Sequence, residues 1–289
     1  MKSSLVKKIL LGAALLALLA WVVVYAWSTA ILDKTYQAPV TEVHLPIDSV
    51  SVMEGSRLTR IEHCHDCHGE RLTGGVVADV PHKFEFIGPD LTEIVPTYTD
   101  GELYRLLNDG IEKNGHSVYL MPSYMYHQLK PESVLRIIAY LRTLKQQPPT
   151  AGIPARSTYA FLGRLKLIEL GTRLQIASKV GPDSPRLYIP HDTTEVSHGK
   201  YLAMTICVSC HGRNLKGSGG EGAPDLIAAT AYKESQFRTL LRTGLTLGGT
   251  KDIEGMGRIS KNSLRYLTDQ EISAIYAFLQ TKPTQKSSR

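Results

Sequence analysis

Few residue types are concentrated anywhere in this chain. Of 289 residues only four are cysteine, two are tryptophan and six are methionine. No domain-sized stretch carries more than a slight basic surplus, although the net charge is +6. Residues 45–148 hold 10 Lys/Arg against 14 Asp/Glu, and residues 190–283 hold 11 against 9. The surplus sits in residues 1–44, in residues 149–189 and in the last six positions. A nucleic-acid binder gathers its Lys and Arg on one domain or helix, so that class is set aside. Few β-branched runs alternate with period two, which argues against a sheet-dominated fold. With 43% hydrophobic and 21% charged residues, the chain is not a disordered tail, a collagen or a polytopic membrane protein. The length suits two modest domains and a connector.

One uncharged run is long. Lys2, Lys7 and Lys8 precede Ile9 to Leu32, 24 residues closed by Asp33 and Lys34. As a helix that run would measure about 36 Å, enough for a ~30 Å hydrocarbon core with some tilt. The basic flank stays in the cytoplasm, which sends the remainder across. Trp21, Tyr25 and Trp27 lie toward the far end, where amphipathic rings favour the interface. A cleaved signal peptide is the alternative, with Ser28 and Ala30 as the small residues before a cut. A signal h-region has ~7–15 apolar residues, so the length favours a retained anchor at 1–32. Both readings export the rest of the chain.

The four cysteines fall in two identical settings, Cys64-His65-Asp66-Cys67-His68 and Cys207-Val208-Ser209-Cys210-His211. C-x-x-C-H is the covalent haem attachment signature. Two thiols on one helical turn can each form a thioether with a haem vinyl group. The adjacent histidine then lies under the iron as an axial ligand. A zinc ribbon also pairs C-x-x-C motifs, with ~15–20 residues between them; here Cys67 and Cys207 are 140 positions apart. A thioredoxin-type dithiol lacks its βαβ context. Disulfides would leave the two in-register histidines unexplained.

The surroundings of the motifs repeat. Gly55-x-x-Leu58 corresponds to Gly199-x-x-Leu202, and Leu72 to Leu215. Pro89-Asp90-Leu91 corresponds to Pro224-Asp225-Leu226, and Leu106-Leu107-x-x-Gly110 to Leu240-Leu241-x-x-Gly244. Ala139-Tyr140-Leu141 matches Ala277-Phe278-Leu279. Each unit closes with an amphipathic helix, on Val134, Ile137, Leu141 and Leu144 and on Ile272, Ile275, Tyr276 and Leu279. Thr268 and Glu271 form a T-x-x-E capping box before the second, whereas Lys130-Pro131 offers a weaker cap before the first.

A sixth iron ligand must come from downstream of each motif. Met256 is the only methionine after Cys210, in the Gly-rich stretch Gly255-Met256-Gly257. In the first unit Met121 and Met125 compete. Met121 aligns with Met256 through the offset of 135 that also relates Pro89 to Pro224, and is preferred. His116 and His127 flank Met121 and would permit bis-His ligation.

These residues together resemble class I cytochromes c: a first helix ending in C-x-x-C-H, a proline segment, a methionine loop and a closing A-[YF]-L helix. The resemblance covers nearly all of residues 50–146 and 195–281. It implies an all-α fold of two tandem class I domains, preceded by the one N-terminal transmembrane helix read from the uncharged run. The expected division is an anchor at 1–32, an extended linker at 33–49, a first domain at 50–147, a connector at 148–190, a second domain at 191–283 and a basic tail at 284–289. The resemblance further implies two covalent haem c groups on Cys64, Cys67, Cys207 and Cys210, with iron held by His68 and Met121 and by His211 and Met256. In that family the first and last helices cross closely, which pairs Gly55 with Tyr140 and Gly199 with Phe278. The carbonyls of Pro89 and Pro224 are expected to accept the second N–H of His68 and His211, orienting each ring.

More narrowly, the chain is similar to cytochrome subunits of bacterial membrane-bound dehydrogenases, but has two haem motifs rather than three. The implied function is a tethered dihaem electron carrier on the periplasmic side of the inner membrane. It would pass single electrons from a donor such as a dehydrogenase to an acceptor such as a terminal oxidase, with no catalytic residues of its own and no nucleic-acid partner. A dihaem peroxidase, which needs a distal position able to open, is the alternative. The connector mixes Phe161, Leu162, Leu165 and Ile168 with Arg164, Lys166 and Arg173. It reads either as a helix on lipid headgroups or as one packed between the two haem domains.

Overall fold

The computed structural model describes residues 2–180, 184–186, 189–190, 192–217, 223–249 and 255–282. The tail at 284–289 and residues 251–254 before Met256 lie outside them, as does His191, where the second domain was expected to begin. A helix of 31 residues, α1 (Lys2–Leu32), opens the chain, and Ser4–Leu32 within it is long and apolar enough to cross a membrane. The segment after α1 runs along the first unit. The Tyr36 amide donates to the Gly115 carbonyl at 2.8 Å, and the Tyr36 hydroxyl donates to Gln175 Oε1 at 2.7 Å.

In the first unit α2 (Ser49–Ile61) starts at Asp48, whose carboxylate accepts from the Ser51 amide at 2.9 Å. The haem turn α3 (Cys64–His68) follows. A hairpin of β1 (Thr73–Val80) and β2 (Phe84–Asp90) comes next, then the short α4 (Leu91–Ile94). A Thr99/Glu102 capping box starts α5 (Asp100–Asp109), and Gly110, at φ 70°, ends it. The unit closes with α6 (Ser123–Tyr126) and α7 (Pro131–Leu141). The connector supplies β3 (Thr158–Tyr159) and α8 (Phe161–Leu170).

Among the described residues the second unit repeats this plan without the hairpin. It contains α9 (Glu195–Leu202), α10 (Val208–His211), α11 (Glu234–Thr243), α12 (Met256–Asn262) and α13 (Asp269–Gln280). The expected capping box is present: Thr268 Oγ1 accepts from the Glu271 amide at 3.1 Å, and Glu271 Oε2 accepts from the Thr268 amide at 2.7 Å.

Both units are built on one helix crossing. In the first, α2 crosses α7 at Gly55, where an added Cβ would lie 1.9 Å from the Arg136 carbonyl oxygen and 3.0 Å from Tyr140 Cβ. In the second, α9 crosses α13 at Gly199, where a Cβ would lie 1.8 Å from the Ala274 carbonyl oxygen. Arg136 and Ala274 are equivalent positions, so the close contact is with backbone and not with the Phe278 ring. The apolar faces read from sequence are buried, Val134 and Ile272 completely, and the cores of the two units merge into one cluster.

Two expectations are revised. The mostly helical fold holds, but the first unit carries a three-stranded antiparallel sheet in the order β1-β2-β3. Its register, Thr73 opposite Asp90 through Val80 opposite Phe84, is interrupted between Val76 and Ala78, and β1 opens on Gly74-Gly75. Glycines and the irregular register erase the period-two pattern that would have announced it. Second, α8 packs on α1 and on the turn at Lys83, not between the haem units. Gly163 allows this, since a Cβ there would lie 1.9 Å from the Lys83 carbonyl oxygen.

Candidate haem sites

The helix preceding each C-x-x-C-H turn is broken just before it. In the first unit α2 stops at Ile61 and His63 takes a left-handed backbone, φ 64°. In the second, a π-helical turn over Ala203–Cys207 intervenes. Such turns insert one extra residue and swing the following side chains to a new face. Both haem turns end at a glycine of positive φ, Gly69 at 79° and Gly212 at 74°. Three residues on, Leu72 and Leu215 share φ 59°. These buried leucines accept a costly left-handed conformation because each backbone bonds both ways. The Leu72 amide reaches the Gly69 carbonyl at 3.0 Å, and the Leu91 amide reaches the Leu72 carbonyl at 2.8 Å; the Leu215 counterparts both measure 2.9 Å. That pairing brings each proline segment under its histidine.

His68 Nδ1 lies 2.8 Å from the Pro89 carbonyl oxygen, and His211 Nδ1 lies 2.8 Å from the Pro224 carbonyl oxygen. A carbonyl only accepts, so each Nδ1 carries a proton, which in the neutral ring leaves the Nε2 lone pair for a ligand bond. Burial holds the His68 ring below the ordinary histidine range, against the opposing pull of the Pro89 carbonyl. A buried, oriented, neutral imidazole is what an axial ligand requires. In the first unit the sheet presses on this turn, for a Cβ at Gly88 would stand 2.2 Å from the Cys67 carbonyl oxygen.

The thiols suit thioethers and not a zinc cage. Burial pushes Cys64 and Cys207 up to about 12 and raises Cys67 as well. Zinc needs thiolates, which these surroundings disfavour, whereas a thioether sulfur is neutral. Among the described residues no three His, Cys, Asp or Glu side chains converge as a metal cage.

The methionine candidates separate by burial. Met125 is 1% exposed, inside the core of the first unit, whereas Met121 is half-buried at its edge. Met256 is also half-buried and is the first residue of α12, rather than lying in a loop. The rival His127 has both ring nitrogens facing carbonyls, Asn108 at 3.2 Å and Ser184 at 2.8 Å. His116 Nδ1 faces Asn114 at the surface. His65 is tied between Thr59 Oγ1 and the Glu70 carbonyl at 3.2 and 3.0 Å.

Sequence reasoning passed over Glu62, which is 2% exposed with Oε2 lacking a hydrogen bond. Burial, with the Glu271 charge adding and Arg57 opposing, pushes its carboxyl up to about 8. Its charge adds to the upward push on Cys64 and on Cys207. Its backbone carbonyl accepts from the Tyr126 hydroxyl at 3.0 Å. No local pattern marks it, because a glutamate at a helix end normally reads as solvated.

The pattern of the cytochrome c family matches residues 52–145 and 196–282, more than half the chain. The chain belongs to the cytochrome c family. Two such domains imply that this cytochrome carries two covalent haem c groups, and the free thiols, oriented imidazoles and half-buried methionines described above fit that cofactor. It is distantly similar to the fructose dehydrogenase cytochrome subunit of Gluconobacter japonicus, 25% identical over 270 residues, 82% of this chain and 54% of that protein. It is 23% identical over 273 residues to the alcohol dehydrogenase (quinone) cytochrome c subunit of Gluconacetobacter polyoxogenes, covering 82% and 57%. The gluconate 2-dehydrogenase cytochrome c subunit of Pantoea cypripedii is 23% identical over 278 residues, covering 82% and 61%. This cytochrome thus spans just over half the length of these relatives.

Proposed function

We propose that this dihaem cytochrome c is a membrane-anchored electron carrier. It takes single electrons from a membrane-bound dehydrogenase and passes them to an acceptor such as a terminal oxidase. The observation that carries this reading is the duplicated imidazole–proline bond of 2.8 Å, one beneath each C-x-x-C-H turn. Each bound haem c supplies a one-electron iron couple. Cys64 and Cys67 hold one through thioethers, and Cys207 and Cys210 hold the other. His68 and His211 present Nε2, and the carbonyls of Pro89 and Pro224 fix their rings. Met121 and Met256 would each supply the second protein ligand to an iron, while Met125 fills core. A haem held by two protein ligands on its iron would supply electron transfer and disfavour binding a substrate such as peroxide.

Contacts at the end of α1 support a retained anchor over a cleaved signal. Gln175, fully buried, donates to the Ile31 carbonyl at 2.6 Å, and Arg164 donates to Ser28 Oγ at 2.9 Å. Cleavage after Ala30 would remove Ser28 and Thr29 and leave the Arg164 guanidinium without both hydroxyl partners. The haem domains then lie on the periplasmic side, as the basic flank of α1 requires.

Purification from detergent-solubilised membranes tests the reading. The mature chain should retain residues 1–32, carry two haems by mass, copurify with a dehydrogenase and show a methionine-to-iron charge-transfer band at both haems. High-spin iron with rapid peroxide turnover would overturn it.

A further inference from the structure

The connector helix α8 has three different sides. Gly163 and Leu167 are buried, Gly163 against Lys83 of the first unit. Arg164 faces α1, its guanidinium 3.9 Å from the centre of the Tyr25 ring and bonded to Ser28 Oγ at 2.9 Å and Thr29 Oγ1 at 3.2 Å. The third side covers nothing, with Phe161, Leu162 and Leu165 exposed by 41%, 50% and 40%. At 100° per residue Phe161, Leu165 and Ile168 form a stripe next to Arg164, so this apolar strip continues the outer surface of α1. The Lys166–Glu169 ion pair, 2.8 Å, lies on the far flank.

The depth of α8 follows from what it touches. Tyr25, Ser28 and Thr29 lie in the last two turns before Leu32 closes the apolar run, at the level of Trp21 and Trp27. Aromatic residues gather where hydrocarbon meets headgroups. Arg164 spends its charge on the seam with α1 and Lys166 is paired with Glu169, while Arg173 remains for the headgroup layer.

We infer that α8 is an interfacial helix seated in the outer face of the lipid bilayer, with Phe161 and Leu165 inserted beside α1 and Leu162 at the flank of the strip. The occupant of this face is lipid, because the strip is continuous with a helix that itself faces lipid. This rests on the reading of α1 as a retained span. Two adjoining helices, not one flexible tether, then hold the first haem unit, which fixes its height and tilt above the membrane. The second unit is carried on the first through their shared core.

The test uses the full-length holoprotein in phosphatidylethanolamine–phosphatidylglycerol vesicles doped with a phosphatidylcholine bearing a photoactivated diazirine on its acyl chain. After illumination, lipid adducts are mapped by peptide mass spectrometry. Adducts should appear on α1 and on Phe161–Leu165, at a yield on the order of tenfold above Leu247, an exposed leucine of the second unit. Adducts on α1 with none above that level on α8 would overturn the inference and leave the anchor standing. Adducts on neither helix would overturn the anchor reading as well. Labelling of α8 that disappears when purified dehydrogenase is added would replace lipid by a protein occupant and overturn the inference too.

Discussion

The guanidinium of Arg57, in the first haem unit, grips the carboxylate of Glu271, in the second, with two parallel bonds. Nη1 to Oε2 measures 2.8 Å and Nη2 to Oε1 measures 2.9 Å. Arg57 also donates to Glu54 and to the Tyr266 carbonyl. The same Glu271 caps α13, so one carboxylate ties the start of a core helix to the neighbouring unit. The pair is bidentate and mostly shielded from solvent, conditions that lift an ion pair above the usual surface value. A double-mutant cycle with Arg57→Ala and Glu271→Gln, which keeps an acceptor for the cap, should give a coupling on the order of 1–2 kcal/mol in denaturant unfolding of the holoprotein. Additive effects would show that the units hold together without it.

Glu62 gives the protein a pH dependence of definite sign. Its carboxyl titrates near 4.5 when solvated and about 8 when folded. Between those values the folded state holds a proton that the unfolded state has released. Stability from this group is therefore full below about 4.5 and falls as pH rises toward 8. The groups around it are Arg57, which favours its charge, and Glu271, which disfavours it, with Cys64, Tyr126, Tyr201 and Cys207 sensing it. Glu62→Gln should flatten the slope between pH 5 and 8, about the interval between the two values, and stabilise the protein at its upper end by a few kcal/mol. Unfolding free energies across this range check it; an unchanged slope would place the titration elsewhere.

The two crossing glycines are predicted to be intolerant. Gly55→Ala and Gly199→Ala would drive a methyl to within 2 Å of a carbonyl oxygen, at 1.9 and 1.8 Å. Backbone cannot yield as a side-chain tip does, so each should cost on the order of 3 kcal/mol or more. Thermal unfolding followed at the haem bands should show the altered unit melting first.

Methionine substitutions separate ligand from core. Met121→Ala should abolish the charge-transfer band of one haem and lower its potential, with Met256→Ala doing the same at the other. Met125→Ala should keep both bands while destabilising the first unit by about 2–5 kcal/mol, the cost of a core cavity. Optical titration and melting curves distinguish the outcomes, and the reverse pattern would reassign the ligand.

Local chemistry made much of this protein legible without its fold. The C-x-x-C-H turns, their spacing from Pro89 and Pro224, the Thr268–Glu271 box and the apolar run to Leu32 each depend on neighbours a few residues away or on an internal repeat. Such features survive in a linear reading because covalent spacing and helical periodicity fix them.

What needed tertiary structure depends on groups far apart in the chain. The hairpin of β1 and β2 is held by register, by the β3 edge and by contact with the haem turn, none of which shows in its glycine-rich sequence. The place of α8 against α1, the backbone contact at Gly199, the burial of Met125 against Met121 and the isolation of Glu62 all follow from which surfaces meet. Burial and charge depend on distance in space, so identical residue types acquire different roles only once the chain has closed on itself.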